Sequence, residues 1–169
     1  MKKRFVLSVW LAAAMPLAAL AAGTHEGGHH AMPASHGAMG AAEHAALSGR
    51  AGDPAKVTRT VEVVLSDNMR FEPQTIQVQK GETVRFLVRN AGQLRHEMVL
   101  GPLDELKQHA QDMRANPGMV HREPNQVNLK PGQRGSMVWQ FTQAGTVDFA
   151  CTEPGHLEAG MVGQVKVAP

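Results

Sequence analysis

Cys151, His156 and Met161 stand five residues apart in the segment Phe149-Ala-Cys151-Thr-Glu-Pro-Gly-His156-Leu-Glu-Ala-Gly-Met161-Val-Gly. On an α-helix five residues advance about 500°, so successive members would point roughly 140° apart. The spacing makes no helical face. As a loop between two strands, bent by Pro154-Gly155 and Gly160, it lets three side chains converge on one point. Thiolate and thioether are soft donors and imidazole is intermediate, a set that favours copper. Two His and one Cys in a trigonal arrangement, with a distant Met, make the electron-transfer kind of copper site. Zinc is the main competitor, but structural zinc sites use several Cys or His and rarely a Met. The loop offers a single His, so a second must come from elsewhere. His96 is the best candidate, at the start of the apolar run Met98-Val99-Leu100 and behind the Asn90-Ala91-Gly92 turn.

The elements that position these residues follow a basic, then apolar, start. Met1-Lys2-Lys3-Arg4 precedes an apolar run from Phe5 to Ala22, and Ala19-Leu20-Ala21 offers the small residues a signal peptidase needs. This is the layout of a secretory signal peptide over residues 1–21, and it predicts export to the periplasm. A membrane anchor is the competing reading; Pro16 and the small-residue exit argue against it, and no anchor is expected after cleavage. Loss of Lys2, Lys3 and Arg4 takes Lys+Arg from 17 to 14 against 15 acidic residues, a formal charge of −1. The basic character of the whole chain is therefore largely a targeting feature, and nucleic-acid binding has no support. A single Cys in an oxidising compartment cannot form an internal disulfide, and it is a liability unless it is buried and inert or occupied by a ligand.

Residues 22–55 are built mainly from Ala, Gly, His and Met, with no pattern that could bury a core, and read as a disordered tail. From Lys56 to Pro169 apolar alternation and turn residues recur at short intervals. Val57–Leu65 is a β-branched run; Thr75–Val78 alternates; Val84, Phe86 and Val88 alternate again after Lys80-Gly81. Met137, Trp139 and Phe141, then Val147, Phe149 and Cys151, do the same, and a last strand runs from Val162 to Val167. Seven or eight short strands between turns predict an all-β antiparallel sandwich or barrel. The roughly 114 residues from Lys56 onward suffice for one core. One segment breaks the pattern: Gly101-Pro102, with Asp104 and Glu105 following, opens a helix. Leu103, Leu106, Ala110 and Met113 recur along it, and Asn116-Pro117-Gly118 ends it.

The Cys151–Met161 segment resembles the copper loop of cupredoxins, the family of plastocyanin, azurin and pseudoazurin. The stretch from Asn68 to Phe86 is similar to that family's early strands. The resemblance covers residues 56–169 and implies a Greek-key β-sandwich with copper near one end. By position it implies His96 as the upstream His ligand, Cys151 as the thiolate, His156 as the solvent-edge His and Met161 as the axial ligand. More narrowly, the His/Met-rich tail, the helical insertion and Phe-Ala-Cys resemble the CopI-type cupredoxins linked to bacterial copper tolerance. One position departs from the pattern. The residue after the upstream His is often small and polar in electron carriers, where it ties the two ligand loops together, and here it is Glu97.

Two further groups carry candidate metal donors. The tail holds His25, His29, His30, Met32, His36, Met39 and His44, including five of the nine His residues, which suits copper capture better than a plain linker. Cleavage after Ala22 would expose Gly23-Thr24-His25, whose amine, two amides and third-position His form a square-planar Cu(II) chelate; cleavage after Ala21 would spoil it. His109, Met113, Met119 and His121, with Met98, form a candidate second site. His109 and Met113 share a helix face. Met113 also continues the apolar stripe, the mark of a core residue.

Two function classes remain. The tail favours a copper-handling protein acting in copper tolerance; the alternative is a soluble electron carrier that cycles Cu(I)/Cu(II) with a redox protein partner. An oxidase or nitrite reductase would need further His-rich clusters, and a binuclear purple centre needs two Cys. Oxidation of Cu(I) to Cu(II) is the one enzymatic activity that the extra donors leave open, and no catalytic residue is assigned.

Overall fold

A computed structural model describes residues 49–116 and 122–169. The signal peptide, the tail donors from His25 to His44, and Met119 and His121 lie outside the described residues.

The described chain forms ten strands and one helix. In chain order they are β1 (Arg50–Ala51), a 3-10 turn (Pro54–Lys56), β2 (Arg59–Ser66), β3 (Arg70–Glu72), β4 (Thr75–Gln79) and β5 (Thr83–Asn90). Then come β6 (His96–Gly101), α1 (Leu103–Ala115), β7 (Gln126–Leu129), β8 (Arg134–Gln140), β9 (Gly145–Ala150) and β10 (Val162–Ala168). They make two five-stranded sheets, ordered β1-β8-β5-β2-β3 and β4-β10-β9-β6-β7, packed as a Greek-key β-sandwich.

Alternation decides the inner face. Val63 and Leu65 of β2, Phe86 and Val88 of β5, and Met137 and Trp139 of β8 point inward from one sheet. Ile76 and Val78, Val165 and Val167, Val147 and Phe149, and Met98 and Leu100 meet them from the other. Phe71 packs edge-on against Phe149 across the sandwich, with ring centroids 5.0 Å apart and planes at 85°. Such pairs add roughly 0.5–1.5 kcal/mol beyond the area they bury.

Three features differ from the sequence expectation. The sandwich is not wholly antiparallel: β2 runs parallel to β5, and β4 parallel to β10. Alternation reports which face is buried but carries no information on the direction of a partner strand. The chain crosses from one sheet to the other after β3, so β4 pairs with the last strand rather than with a sequence neighbour. Ten strands replace seven or eight because β1, β3 and β7 are two to four residues long, too short to show a period. Pairing also begins upstream of Lys56. Arg50 and Ala51 align with Gln140 and Trp139 of β8, and the Gly52 N–H donates to the Val138 carbonyl at 2.9 Å.

The helix lies where expected, one residue further along at its start: Pro102 is the N-cap and Leu103 opens the helix. Leu106, Ala110 and Met113 form its buried stripe, while Leu103 is exposed. Leu106 packs with Val99 of β6 and Ala150 of β9, and Leu157 and Val162 border the same cluster. The insertion thus rests against the strands that carry the Cys–His–Met segment.

Candidate metal centre

The pairing of β9 with β10 sets Cys151 opposite Met161. The last ladder pair is Ala150 with Val162, and one step beyond it the Cys151 N–H donates to the Met161 carbonyl at 3.1 Å. Between them the chain makes a compact turn. His156 N–H reaches the Glu153 carbonyl at 3.0 Å, and Met161 N–H returns to the His156 carbonyl at 3.0 Å. Gly155 and Gly160 sit at φ of 87° and 92°, left-handed positions that suit glycine. From outside, the Arg70 guanidinium donates to the carbonyls of Ala159 and Gly160 at 3.3 and 3.4 Å. Arg114 at the end of α1 pairs with Glu158.

His96 opens β6, the strand antiparallel to β9, so it reaches the same end of the sheet. Its ring lies 4.8 Å from that of His156, centroid to centroid. The donor atoms of His96, Cys151 and His156 all fall within 4.8 Å of one another. Both imidazoles turn Nδ1 toward the sulfur, at 3.9 Å for His96 and 3.3 Å for His156. His96, Cys151 and Met161 are fully buried, and His156 is half-buried.

The electrostatics favour a neutral His156 imidazole and oppose a free Cys151 thiolate. Burial pushes the Cys151 thiol up to about 12, against the opposing effect of the Glu97 N–H, which donates to Sγ at 3.4 Å. Burial, then the neighbouring His96, lowers the His156 imidazole. Neutral imidazole is the form that binds metals, and a coordinating thiol is deprotonated by the ion itself.

Glu97 is fully buried beside this group. Its carboxylate accepts the Thr152 N–H at 3.2 Å and the Thr152 hydroxyl, and it takes Asn128 Nδ2 at 3.0 Å and Gln126 Nε2 at 3.2 Å. Burial nevertheless raises its pKa. The departure noted at this position therefore keeps the tying role: a longer side chain spans from β6 to the residue after Cys151. Asp67 is a second polar partner that the sequence reading passed over. Its carboxylate accepts His96 Nε2 at 3.0 Å, Gln93 N at 2.7 Å and Leu94 N at 3.2 Å, and those bonds, Gln93 first, hold it below the ordinary carboxylate range. No local motif flags Asp67, because its partners lie 26 to 29 residues away. Arg70, which donates to the Ala159 and Gly160 carbonyls, is a third.

Of the candidate second site, His109, half-buried, and Met113 lie on α1, and Met119 and His121 lie outside the described residues. Met113 lies on the buried face of α1, and Met98 is fully enclosed in the sandwich core.

The fold is a two-sheet β-sandwich that gathers one thiol and two imidazoles at the end of adjacent strands, a group that could hold a metal ion. A family model for copper binding proteins of the plastocyanin/azurin family matches residues 57–168. The chain is 54% identical to the copper-resistant cuproprotein CopI of Rubrivivax gelatinosus, over 78% of this chain and 82% of that one. It is 37% identical to the protein of the same name from Pseudomonas aeruginosa, over 75% of this chain and 85% of that one. Among solved structures, auracyanin B superposes with a TM-score of 0.60 at 24% identity, covering 72% of this chain and 96% of that chain, a likeness of fold. The chain belongs to the plastocyanin/azurin copper-binding family. Its cofactor is copper, and the donors fit: one sulfur and two imidazole nitrogens form a soft-to-intermediate set in a buried site. Among the described residues no helix is long and apolar enough to cross a membrane.

Proposed function

We propose that this chain is an exported, periplasmic copper-handling protein that acts in copper tolerance, holding one copper in a type 1-like site through His96, Cys151, His156 and Met161. The observation that carries this reading is the convergence of His96 Nδ1, His156 Nδ1 and Cys151 Sγ in a buried pocket. Met161, fully buried and hydrogen-bonded to Cys151 through its backbone, supports a thioether as the fourth, axial donor. Bound copper supplies a one-electron Cu(I)/Cu(II) couple. The residues around it exclude water from the sulfur, and burial favours the neutral, donating form of the His156 imidazole. The names of the two relatives support tolerance as the role, and the His/Met content of residues 22–55 supports capture of additional copper there. The signal-like residues 1–21 support export.

An electron carrier with a redox protein partner is the competing reading. It is favoured by the half-exposed His156, which gives the site one edge toward solvent. Copper stoichiometry and the visible spectrum separate the two, measured on residues 23–169 and on a version lacking residues 23–48. The cut falls before Gly49 because Arg50 and Ala51 are paired in the sheet. Several coppers on the longer protein and one on the shorter support capture by the tail and tolerance. One copper on each supports the carrier. No intense thiolate-to-copper band on either refutes the site.

A further inference from the structure

Asp67 lies in the turn between β2 and β3, with its side chain 36% exposed, yet its carboxylate is enclosed by one short segment of chain. Oδ2 accepts the Gln93 N–H at 2.7 Å; Oδ1 accepts the Leu94 N–H at 3.2 Å and faces His96 Nε2 at 3.0 Å. The segment is shaped for this. Asn90, fully buried, accepts the Gly92 N–H at 2.9 Å and donates to the carbonyls of Leu94 at 2.7 Å and Leu129 at 3.2 Å. A Cβ on Gly92 would fall 1.9 Å from Asp67 Oδ1, so only glycine allows the turn to close on the carboxylate.

An ionised carboxylate accepts hydrogen bonds and donates none. The bond at His96 therefore requires a proton on Nε2, and in the neutral imidazole that binds metals this leaves the lone pair on Nδ1, the nitrogen turned toward Cys151. A carboxylate behind a metal-bound imidazole fixes its tautomer and raises its basicity.

From this geometry we propose that Asp67 is a positioning residue for the copper: it locks His96 in the Nε2–H tautomer and strengthens Nδ1 as a donor, so that Cu(II) is favoured over Cu(I). This rests on the reading that His96 Nδ1 binds the ion. For a protein that meets copper in an oxidising compartment, such a bias would hold the ion in its less toxic state.

The test uses the chain from Gly23 to Pro169 with Asp67→Ala, Asp67→Asn, Gly92→Ala and His96→Gly. In the copper-free wild type, nitrogen-15 NMR of the imidazoles should show His96 as the Nε2–H tautomer with a slowly exchanging ring proton; Asp67→Ala should lose that protection. In the copper-loaded protein, Asp67→Ala should keep the thiolate band but lose about tenfold more affinity for Cu(II) than for Cu(I). That ratio equals a rise of about 59 mV in reduction potential for a one-electron couple. Asp67→Asn, which can still accept the bond but carries no charge, should keep the tautomer with a smaller rise. Gly92→Ala should move the potential in the same direction by displacing an intact carboxylate. An Nδ1–H tautomer in the wild type, or an unchanged potential in Asp67→Ala, overturns the proposal. If His96→Gly alone keeps the wild-type band and potential, the reading of His96 as a ligand fails first. If His96→Gly alters them and Asp67→Ala does not, only the role of Asp67 is lost.

Discussion

The Glu97 carboxylate accepts both the backbone N–H, at 3.2 Å, and the hydroxyl of Thr152, so the residue after His96 is bound to the residue after Cys151. Residues 55 positions apart along the chain are thereby joined where β6 and the chain just past β9 present the proposed donors. The Glu97 N–H adds a third link, to the Cys151 sulfur itself. The spacing between His96 Nδ1 and Cys151 Sγ is thus set by a hydrogen-bonded frame before any metal arrives.

Removing that frame should cost more than removing an ordinary surface carboxylate. Glu97→Ala leaves the N–H and hydroxyl of the buried Thr152 without the acceptor that Glu97 supplies. Urea unfolding should show a loss of about 3 kcal/mol, the order expected for orphaned buried donors. Glu97→Gln keeps one acceptor oxygen and should lose less. The copper-loaded Gln variant should retain a thiolate band at a shifted wavelength; an identical spectrum and unchanged stability would show that the frame is not needed.

Cys151 should be inert without copper. It is fully buried and its thiol is pushed up to about 12, so a thiol reagent at neutral pH should label the folded copper-free protein slowly and the urea-unfolded protein at once. Cys151→Ser should fold, as judged by far-ultraviolet circular dichroism, and show no intense visible band with copper. Rapid labelling of the folded protein would contradict the enclosed site.

The helical insertion should act through its apolar contact rather than its ion pair. Leu106→Ala empties the seat between α1, Val99 and Ala150 and should cost about 3 kcal/mol. Arg114→Ala breaks an exposed pair with Glu158 and should cost less than about 1 kcal/mol. Denaturant midpoints of the two variants test the order. Copper release to a chelator should quicken in Leu106→Ala, because the same cluster borders Leu157 in the turn carrying His156.

Where the chain is cut should matter. Deleting residues 23–48 should leave the melting temperature unchanged, whereas deleting 23–54 removes β1 and the Gly52 hydrogen bond to Val138 and should cost about 1 kcal/mol or more. Equal melting temperatures would mean that the first strand adds nothing to the sheet.

Much of this was legible beforehand where signals are local. The five-residue steps from Cys151 to Met161 are written in one loop, and the alternation of Val84, Phe86 and Val88 names the buried face of β5. The stripe of Leu106, Ala110 and Met113 foretold the helix and the side it buries. Short strands such as β3 and β7 hold too few residues to display a period and emerge only through pairing. Glu97 stood out as an oddity beside His96, but the donors that make sense of it come from β7 and from beyond β9.

The sequence alone determined the Cys–His–Met order of the loop and the β-sandwich class, because each is encoded in neighbouring residues or in a period of two. The tertiary structure decided which strands run parallel, that Glu97 bridges to Thr152, and that Asp67 stands behind His96. The last two depend on hydrogen bonds between residues 26 to 55 positions apart, and the parallel pairings on partners 25 and 89 positions apart. No periodicity reports such a contact, because it exists only once two sheets have packed and brought the ends of β2, β6 and β9 together.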